Sequence, residues 1–259
     1  MIYITGDVHS KRQYTWEQKE HGPNLKTALE FLKILKKYKI RSTLFINGIC
    51  LDEETEDVKK LLDYEVELGG HTYNSFGKMN IFKSYIYRKI WKCIYGPERY
   101  QKKDILKTRK AFEKLGLKML SWRTHCYSSN ETTFRLLKEQ GVRYVSDLLG
   151  KQQPFEKNGL IHLPINTPPD ENTMALGPLR PENRDPFAGC TKGRIMPSEW
   201  LEIVKKRIIE NEKNQKASVL LTHPATMAYI KDYWLLKELA EFIKKNKYPT
   251  VYIRECKIR

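Results

Sequence analysis

Four of the six histidines in this 259-residue sequence stand directly after short apolar runs of the kind that form buried strands. His9 follows Ile4-Thr5-Gly6-Asp7-Val8, His71 follows Glu67-Leu68-Gly69-Gly70, His125 follows Trp122-Arg123-Thr124, and His223 follows Val219-Leu220-Leu221-Thr222. A single histidine at a strand end is ordinarily a hydrogen-bonded structural group. Four of them in a parallel α/β fold share the face where the C-terminal strand ends meet, and Asp7 and Arg123 join them there. Imidazoles with a carboxylate at one mouth suit zinc or a similar divalent ion, which takes about three N or O ligands and keeps a position for water. Such an ion polarises a carbonyl and acidifies water, while a separate carboxylate or histidine moves protons. Hydrolysis of an amide or ester is the chemistry these residue types predict. His21, in a Gly-Pro loop, and His162, inside a strand, lack the pattern and read as structural or surface groups.

The elements that must position these residues alternate. A strand over residues 2 to 6 precedes a helical stripe of Leu25, Ala28, Leu29, Leu32 and Leu35, and the buried-type strand Ser42-Thr43-Leu44-Phe45-Ile46 ends at Asn47-Gly48. Further strands are expected at 119–123, 142–146, 161–165, 218–222 and 250–253. Asn130 reads as a helix cap, and another helix opens at Pro197-Ser198. This alternation predicts an α/β fold on a parallel sheet, although periodicity does not separate a closed barrel from an open sheet. Two segments interrupt it: 76–100, dense in aromatic and basic residues, and 166–197, rich in Pro, Gly and Asn. Both read as excursions from a single domain spanning 1–259.

Lys and Arg number 47 against 31 acids, a net charge of +16 that can favour nucleic acid, acidic lipid or an anionic polymer. Much of the excess, such as Lys33, Lys36 and Lys37, falls where a helix faces water, and no nucleic-acid-binding motif accompanies it. The five cysteines are scattered and odd in number, which predicts free thiols. Met1-Ile2-Tyr3-Ile4-Thr5 lacks the basic flank and long apolar stretch of a signal peptide, and no apolar run is long enough to span a bilayer. The expectation is a cytoplasmic protein without a membrane span.

Taken in order, these motifs resemble those of the polysaccharide deacetylases, which share the nodulation-deacetylase homology domain. The resemblance runs from Ile4 to the helix after His223. It implies a distorted, TIM-like (β/α) barrel of about seven parallel strands with irregular insertions, hydrolysing non-peptide carbon–nitrogen bonds. An N-acetylated sugar is the expected substrate, with another small amide as the variant. Thr5-Gly6-Asp7-Val8 is similar to the first motif, which places Asp7 as catalytic base; Val8 stands where the family has a second, metal-binding aspartate. Glu67-Leu68-Gly69-Gly70-His71-Thr72 resembles the second motif, with His71 a metal ligand and Ser75 where a second histidine is usual. His9 and His125 are then expected to complete an altered metal set with Asp7 and His71. In Ser121-Trp122-Arg123-Thr124-His125-Cys126-Tyr127 the arginine would orient the base, and in Leu221-Thr222-His223-Pro224 the histidine would be the general acid. Leu221 is implied to shape the acetyl pocket, with Tyr127 and Trp122 beside it. The alternative is a catalytically altered or metal-free relative that binds an anionic glycan or nucleic acid.

Overall fold

A computed structural model describes residues 1–11, 24–75, 81–176, 194–230 and 232–258; His21, Cys190 and much of the 166–197 excursion lie outside them. Seven strands run parallel: β1 (Ile2–Val8), β2 (Ser42–Ile46), β3 (Val66–Gly70), β4 (Ser121–Trp122), β5 (Tyr144–Val145), β7 (Leu160–His162) and β8 (Ser218–Leu221). Their order is β7-β5-β4-β3-β2-β1-β8, and β6 (Phe155–Lys157) adds antiparallel to the edge of β7.

The two-residue pleat sorts every strand into an outer and an inner face. On β1, Ile2, Ile4 and Val8 join the core shared with the helices, where they meet Leu25, Phe31, Leu32 and Leu35 of the Asn24–Lys37 helix. Tyr3 points the other way, into an inner cluster with Phe45, Val219 and Leu221. The curled sheet closes largely through one residue, Asn166. Asn166 donates its N–H to the Val219 carbonyl (3.1 Å), accepts Val219 N–H on Oδ1 (2.8 Å) and donates Nδ2 to Ala217 O (2.8 Å), so an amide side chain stands in for strand pairing. The result is the distorted barrel that the resemblance implies.

The floor of the barrel is polar. Glu67 is buried and accepts Thr43 Oγ1 and Ser121 Oγ (both 2.8 Å) together with Arg254 N–H (3.1 Å). Ile253 N–H in turn bonds Thr43 Oγ1 (3.1 Å), and this lock corrects the expected strand at 250–253. Only Thr250 bridges to Ile2 before the chain turns into a 3₁₀ helix, Ile253–Glu255. The β6–β7 hairpin went unpredicted, although Asn158 (φ 56) and Gly159 (φ 75) are the residue pair that a two-residue turn with two positive φ values prefers. Asn130 caps the Glu131–Glu139 helix as expected, accepting Thr133 N–H at 2.9 Å. Four of the five cysteines, Cys50, Cys93, Cys126 and Cys256, are described, and all are free thiols. Among the described residues no helix is long and apolar enough to cross a membrane.

Candidate active site

The inner face of each strand ends in a polar residue at the same rim. Asp7 and His9 follow Tyr3 and Thr5 on alternate positions of β1, His71 follows Glu67 and Gly69 on β3, Arg123 and His125 follow Ser121 on β4, and His223 follows Val219 and Leu221 on β8. All six predicted residues therefore meet. Val8 takes the opposite face of the same strand and lies in the helix-side core, fully buried.

Arg123 is the hub. Its guanidinium donates Nη1 to Asp7 Oδ1 (2.9 Å), Nη2 to Thr5 Oγ1 (2.9 Å) and Ser146 Oγ (2.7 Å), and Nε to the Ser146 carbonyl (2.9 Å). It lies 4.4 Å above the Phe45 ring and has no solvent exposure. Gly69 makes room for that ring, since a Cβ there would stand 2.7 Å from Phe45 and 2.5 Å from Ser121 Oγ. Burial pushes the Asp7 carboxyl up, but its neighbours, His71 first and then Arg123 and His223, outweigh it and hold the acid well below the usual carboxylate range. Because His71 is itself held low by burial, Arg123 is the permanent cation in that balance.

His9, His71 and His125 form a compact triad. Their candidate ligand atoms all lie within 4.8 Å of one another, with His9 Nε2 to His71 Nε2 at 3.2 Å and His125 Nδ1 to His71 Nε2 at 3.4 Å. Two nitrogens on one tetrahedral zinc stand about 3.3 Å apart, given Zn–N bonds of roughly 2.0–2.1 Å. The spacing fits a single small divalent ion. His71 Nδ1 lies 2.9 Å from the Arg123 carbonyl, which fixes the proton on Nδ1 and leaves the Nε2 lone pair facing the cluster. Burial, helped by the adjacent imidazoles, drives His9 well below its ordinary pKa and His125 down to about 3, so both rings are neutral at physiological pH, the state in which an imidazole can bind a metal. Asp7 Oδ2 stands 3.7 Å from His71 Nε2, at the edge of this triad.

Three positioning groups were not singled out from the sequence. Asn47, fully buried at the end of β2, donates Nδ2 to His71 O (2.6 Å), while its Oδ1 accepts Ser75 Oγ (3.1 Å) and Ser10 N–H (3.4 Å). It thereby joins the loops that carry His9 and His71, and Ser75 serves this clamp. Asp147 holds the turn before His125, accepting Thr124 N–H (2.5 Å) and Thr124 Oγ1 (2.9 Å). Asp170 is the most consequential: it accepts His223 N–H (2.6 Å) and sits 2.7 Å from His223 Nδ1. Glu171 Oε2 lies 3.5 Å and Asp7 Oδ2 3.9 Å from His223 Nε2. Burial lowers the His223 pKa, but these three carboxylates outweigh it and raise the ring to about 10. His223 is thus a cation at neutral pH, the opposite state from the triad.

Three non-glycine residues in the left-handed region stand directly after triad members: Thr72 (φ 63) after His71, and Cys126 (φ 57) and Tyr127 (φ 52) after His125. Such backbone is costly unless its surroundings hold it, and it re-aims the chain at the rim. Of the expected pocket residues, Leu221 and Tyr127 lie in or against the inner cluster. Trp122 does not join them. As the even-numbered neighbour of Arg123 it points outward into the helix-side core, its Nε1 donating to Thr124 Oγ1 (2.9 Å). His162, as expected of a structural group, is buried and stacks on Phe155 at 5.0 Å.

Residues 20–145 match the family model described as polysaccharide deacetylase. Over that stretch the chain is similar to the polysaccharide deacetylase family. His71, Arg123 and His125 fall inside the matched stretch, whereas Asp7, His9 and His223 reach the site through the fold. Among characterised proteins, a peptidoglycan-N-acetylglucosamine deacetylase of Bacillus cereus is 25% identical over 143 residues, 55% of this chain. The match spans 60% of the length of that relative. A crystal structure of a polysaccharide deacetylase homologue from Mycobacterium smegmatis superposes with a TM-score of 0.69 at 19% identity, covering 97% of this chain and 86% of the other. A CE4 family pseudoenzyme from Bacillus anthracis superposes with a TM-score of 0.57 at 14% identity, over 98% of this chain and 64% of the other. At such identities the superpositions establish the fold, and the chemistry rests on the side chains above.

Proposed function

We propose that the protein is a metal-assisted amide hydrolase that deacetylates an N-acetylated sugar. The observation that carries this reading is the opposed pair at the mouth: an anionic Asp7 held by buried Arg123, 3.9 Å from a cationic His223 held by Asp170. General acid–base hydrolysis needs a base and an acid in opposite protonation states at the same pH, both within reach of one reacting group. His9, His71 and His125 would hold a divalent ion, for which zinc suits three neutral imidazoles best. Such an ion supplies Lewis acidity to the acetyl carbonyl.

Asp7 Oδ2 accepts a proton from water as the water oxygen bonds to the carbonyl carbon. His223 Nε2 then donates its proton to the departing nitrogen as the C–N bond breaks, leaving acetate and a free amine. Leu221 and Tyr127 are proposed to enclose the acetyl methyl group. Asp7 therefore acts as base at the edge of the triad and His223 as acid. The Asp170 contact supports that division, because a histidine kept protonated to about pH 10 has no free lone pair with which to abstract a proton.

The test is acetate release from N-acetylated oligosaccharides by metal-loaded protein. Asp7→Asn and His223→Ala should each lower kcat by about 100-fold or more, the usual contribution of a positioned acid or base, measured on variants whose circular dichroism shows them folded, because each also strands a buried partner, Arg123 or Asp170, and lowers the melting temperature. Full turnover in either variant removes that residue from the mechanism. Absence of both turnover and a stoichiometric ion in the wild type favours the metal-free binding reading, which the Val8 and Ser75 replacements would then explain. Asp170→Asn should shift the alkaline limb of kcat/KM to lower pH, since His223 loses the carboxylate that most strongly keeps it charged. Proton NMR titration of His223 checks this separately, and an unmoved His223 would contradict the assigned role of Asp170.

A further inference from the structure

The Ile81–Trp91 helix exposes apolar residues where a globular helix carries polar ones. At 100° per residue, Phe82, Tyr85, Ile86, Lys89 and Ile90 occupy one side, whereas Ser84, Tyr87 and Trp91 occupy the other. The side turned to the protein carries the small polar Ser84, which is buried, and Tyr87, half-buried against Trp91 and Tyr100. The aliphatic side faces water: Phe82 is 68% exposed and Ile90 61%. A globular helix does the reverse, because its apolar stripe is what attaches it to the core. From Ile81 to Pro97 the chain also has no acidic residue, while Lys83, Arg88, Lys89 and Lys92 flank or punctuate the exposed stripe.

The helix is fastened to the rim that carries the histidines. Tyr95 Oη donates to Ser75 O (2.7 Å), Ile94 N–H to Ser128 Oγ (2.8 Å), and Asn130 Nδ2 to Trp91 O (2.8 Å), so the segment rests on the loops that follow His71 and His125. An exposed apolar stripe with a cationic border, held by a scaffold, has the chemistry of a helix lying in the interface of an anionic bilayer.

We propose that the Ile81–Trp91 helix docks the barrel onto an anionic lipid surface, its isoleucines entering the acyl boundary and its basic residues meeting phosphate headgroups. Nucleic acid and glycans fit the face less well: Phe82 and Tyr85 could stack on a base or sugar, but Ile86 and Ile90 beside them are plain hydrocarbon that a stacking ligand would leave facing water. A second copy of this chain fits less well too: a two-fold contact would set Lys83, Arg88 and Lys89 against themselves. The docking assignment stands independently of the hydrolase reading, since its residues lie outside the acid–base and ligand groups.

Flotation of the full chain with extruded vesicles tests it. Wild-type protein should float with vesicles of equal parts phosphatidylglycerol and phosphatidylcholine, and much less with phosphatidylcholine alone or in high salt. Ile86→Ser combined with Ile90→Ser should weaken partitioning about tenfold or more, since each removes buried hydrocarbon from the bound state. Lys83→Glu combined with Lys89→Glu should weaken it as well. All four side chains are exposed, so melting by circular dichroism should match the wild type. Three outcomes overturn the proposal: no flotation on the anionic vesicles, flotation undiminished by the isoleucine pair, or a soluble dimer that the isoleucine pair dissolves. Tight heparin binding that survives the isoleucine substitutions, without vesicle binding, would assign the face to an anionic polymer.

Discussion

Replacing His71 by alanine is expected to strip the protein of a bound divalent ion and to abolish hydrolysis with it. His71 is the shared member of the triad, because its Nε2 is the atom that both His9 Nε2 (3.2 Å) and His125 Nδ1 (3.4 Å) approach. Removing it leaves two imidazoles, too few to hold a zinc-like ion against water. Loss of an outer-shell partner alone typically costs about 10–100-fold in metal affinity, so loss of this ligand should exceed that range. The measurement is elemental analysis of protein purified without chelators or metal-affinity columns, with calorimetric titration of zinc, cobalt, nickel and manganese into the stripped protein. Near one equivalent in the wild type, absent from His71→Ala, is the expected result. Wild-type protein that takes up none of the four ions would mean that the triad is a hydrogen-bonded histidine cluster. Asn47→Ala offers a graded companion: it leaves all three rings in place but frees the His71 carbonyl and the Ser75 loop, so affinity should fall less than with His71→Ala.

Much of this site was legible in the sequence because strand-end placement is a one-dimensional signal. Asp7, His71, Arg123, His125 and His223 each follow a short buried run, and a parallel barrel brings such ends together whatever the loops do. His9 was legible for a subtler reason: it stands two residues after Asp7, and the period-two pleat returns it to the inner face that Val8 leaves. The same rule argues against Trp122, whose even-numbered position beside Arg123 sends it outward. Asp170 was hidden because its partner is 53 residues away and its own segment reads as a Pro-rich loop. The available signal was an acid five residues beyond the apolar run ending at Ile165, on the same rim as the histidines. Barrel closure could not be read from periodicity either, since it depends on the side chain of Asn166 bonding as backbone does.

Arg123→Ala should be the most destabilising substitution at the rim, by about 3–5 kcal/mol, the range for removing one partner of a buried ion pair. The loss is large because Asp7 stays behind. It is buried, and with the guanidinium gone only imidazoles that burial keeps largely neutral remain near it, apart from His223 at 3.9 Å. Thr5 Oγ1 and Ser146 Oγ lose a donor at the same time. In the wild type the Asp7 pKa is depressed on folding, so its stabilisation is present above the unfolded value of 3.8 and is lost as pH falls through the lower folded value. The gap in stability between wild type and Arg123→Ala should therefore be widest near neutral pH and should narrow in acid, where the stranded carboxyl can take up a proton. A double-mutant cycle with Asp7→Asn separates the charge from the packing: if the unpaired carboxylate is the cause, adding Asp7→Asn to Arg123→Ala restores a large part of the lost stability. Should the double variant melt no higher than Arg123→Ala at neutral pH, the cost lies in the cavity over Phe45 and in the unmet Ser146 and Thr5 acceptors, and the arginine's hold on Asp7 would be an incidental contact.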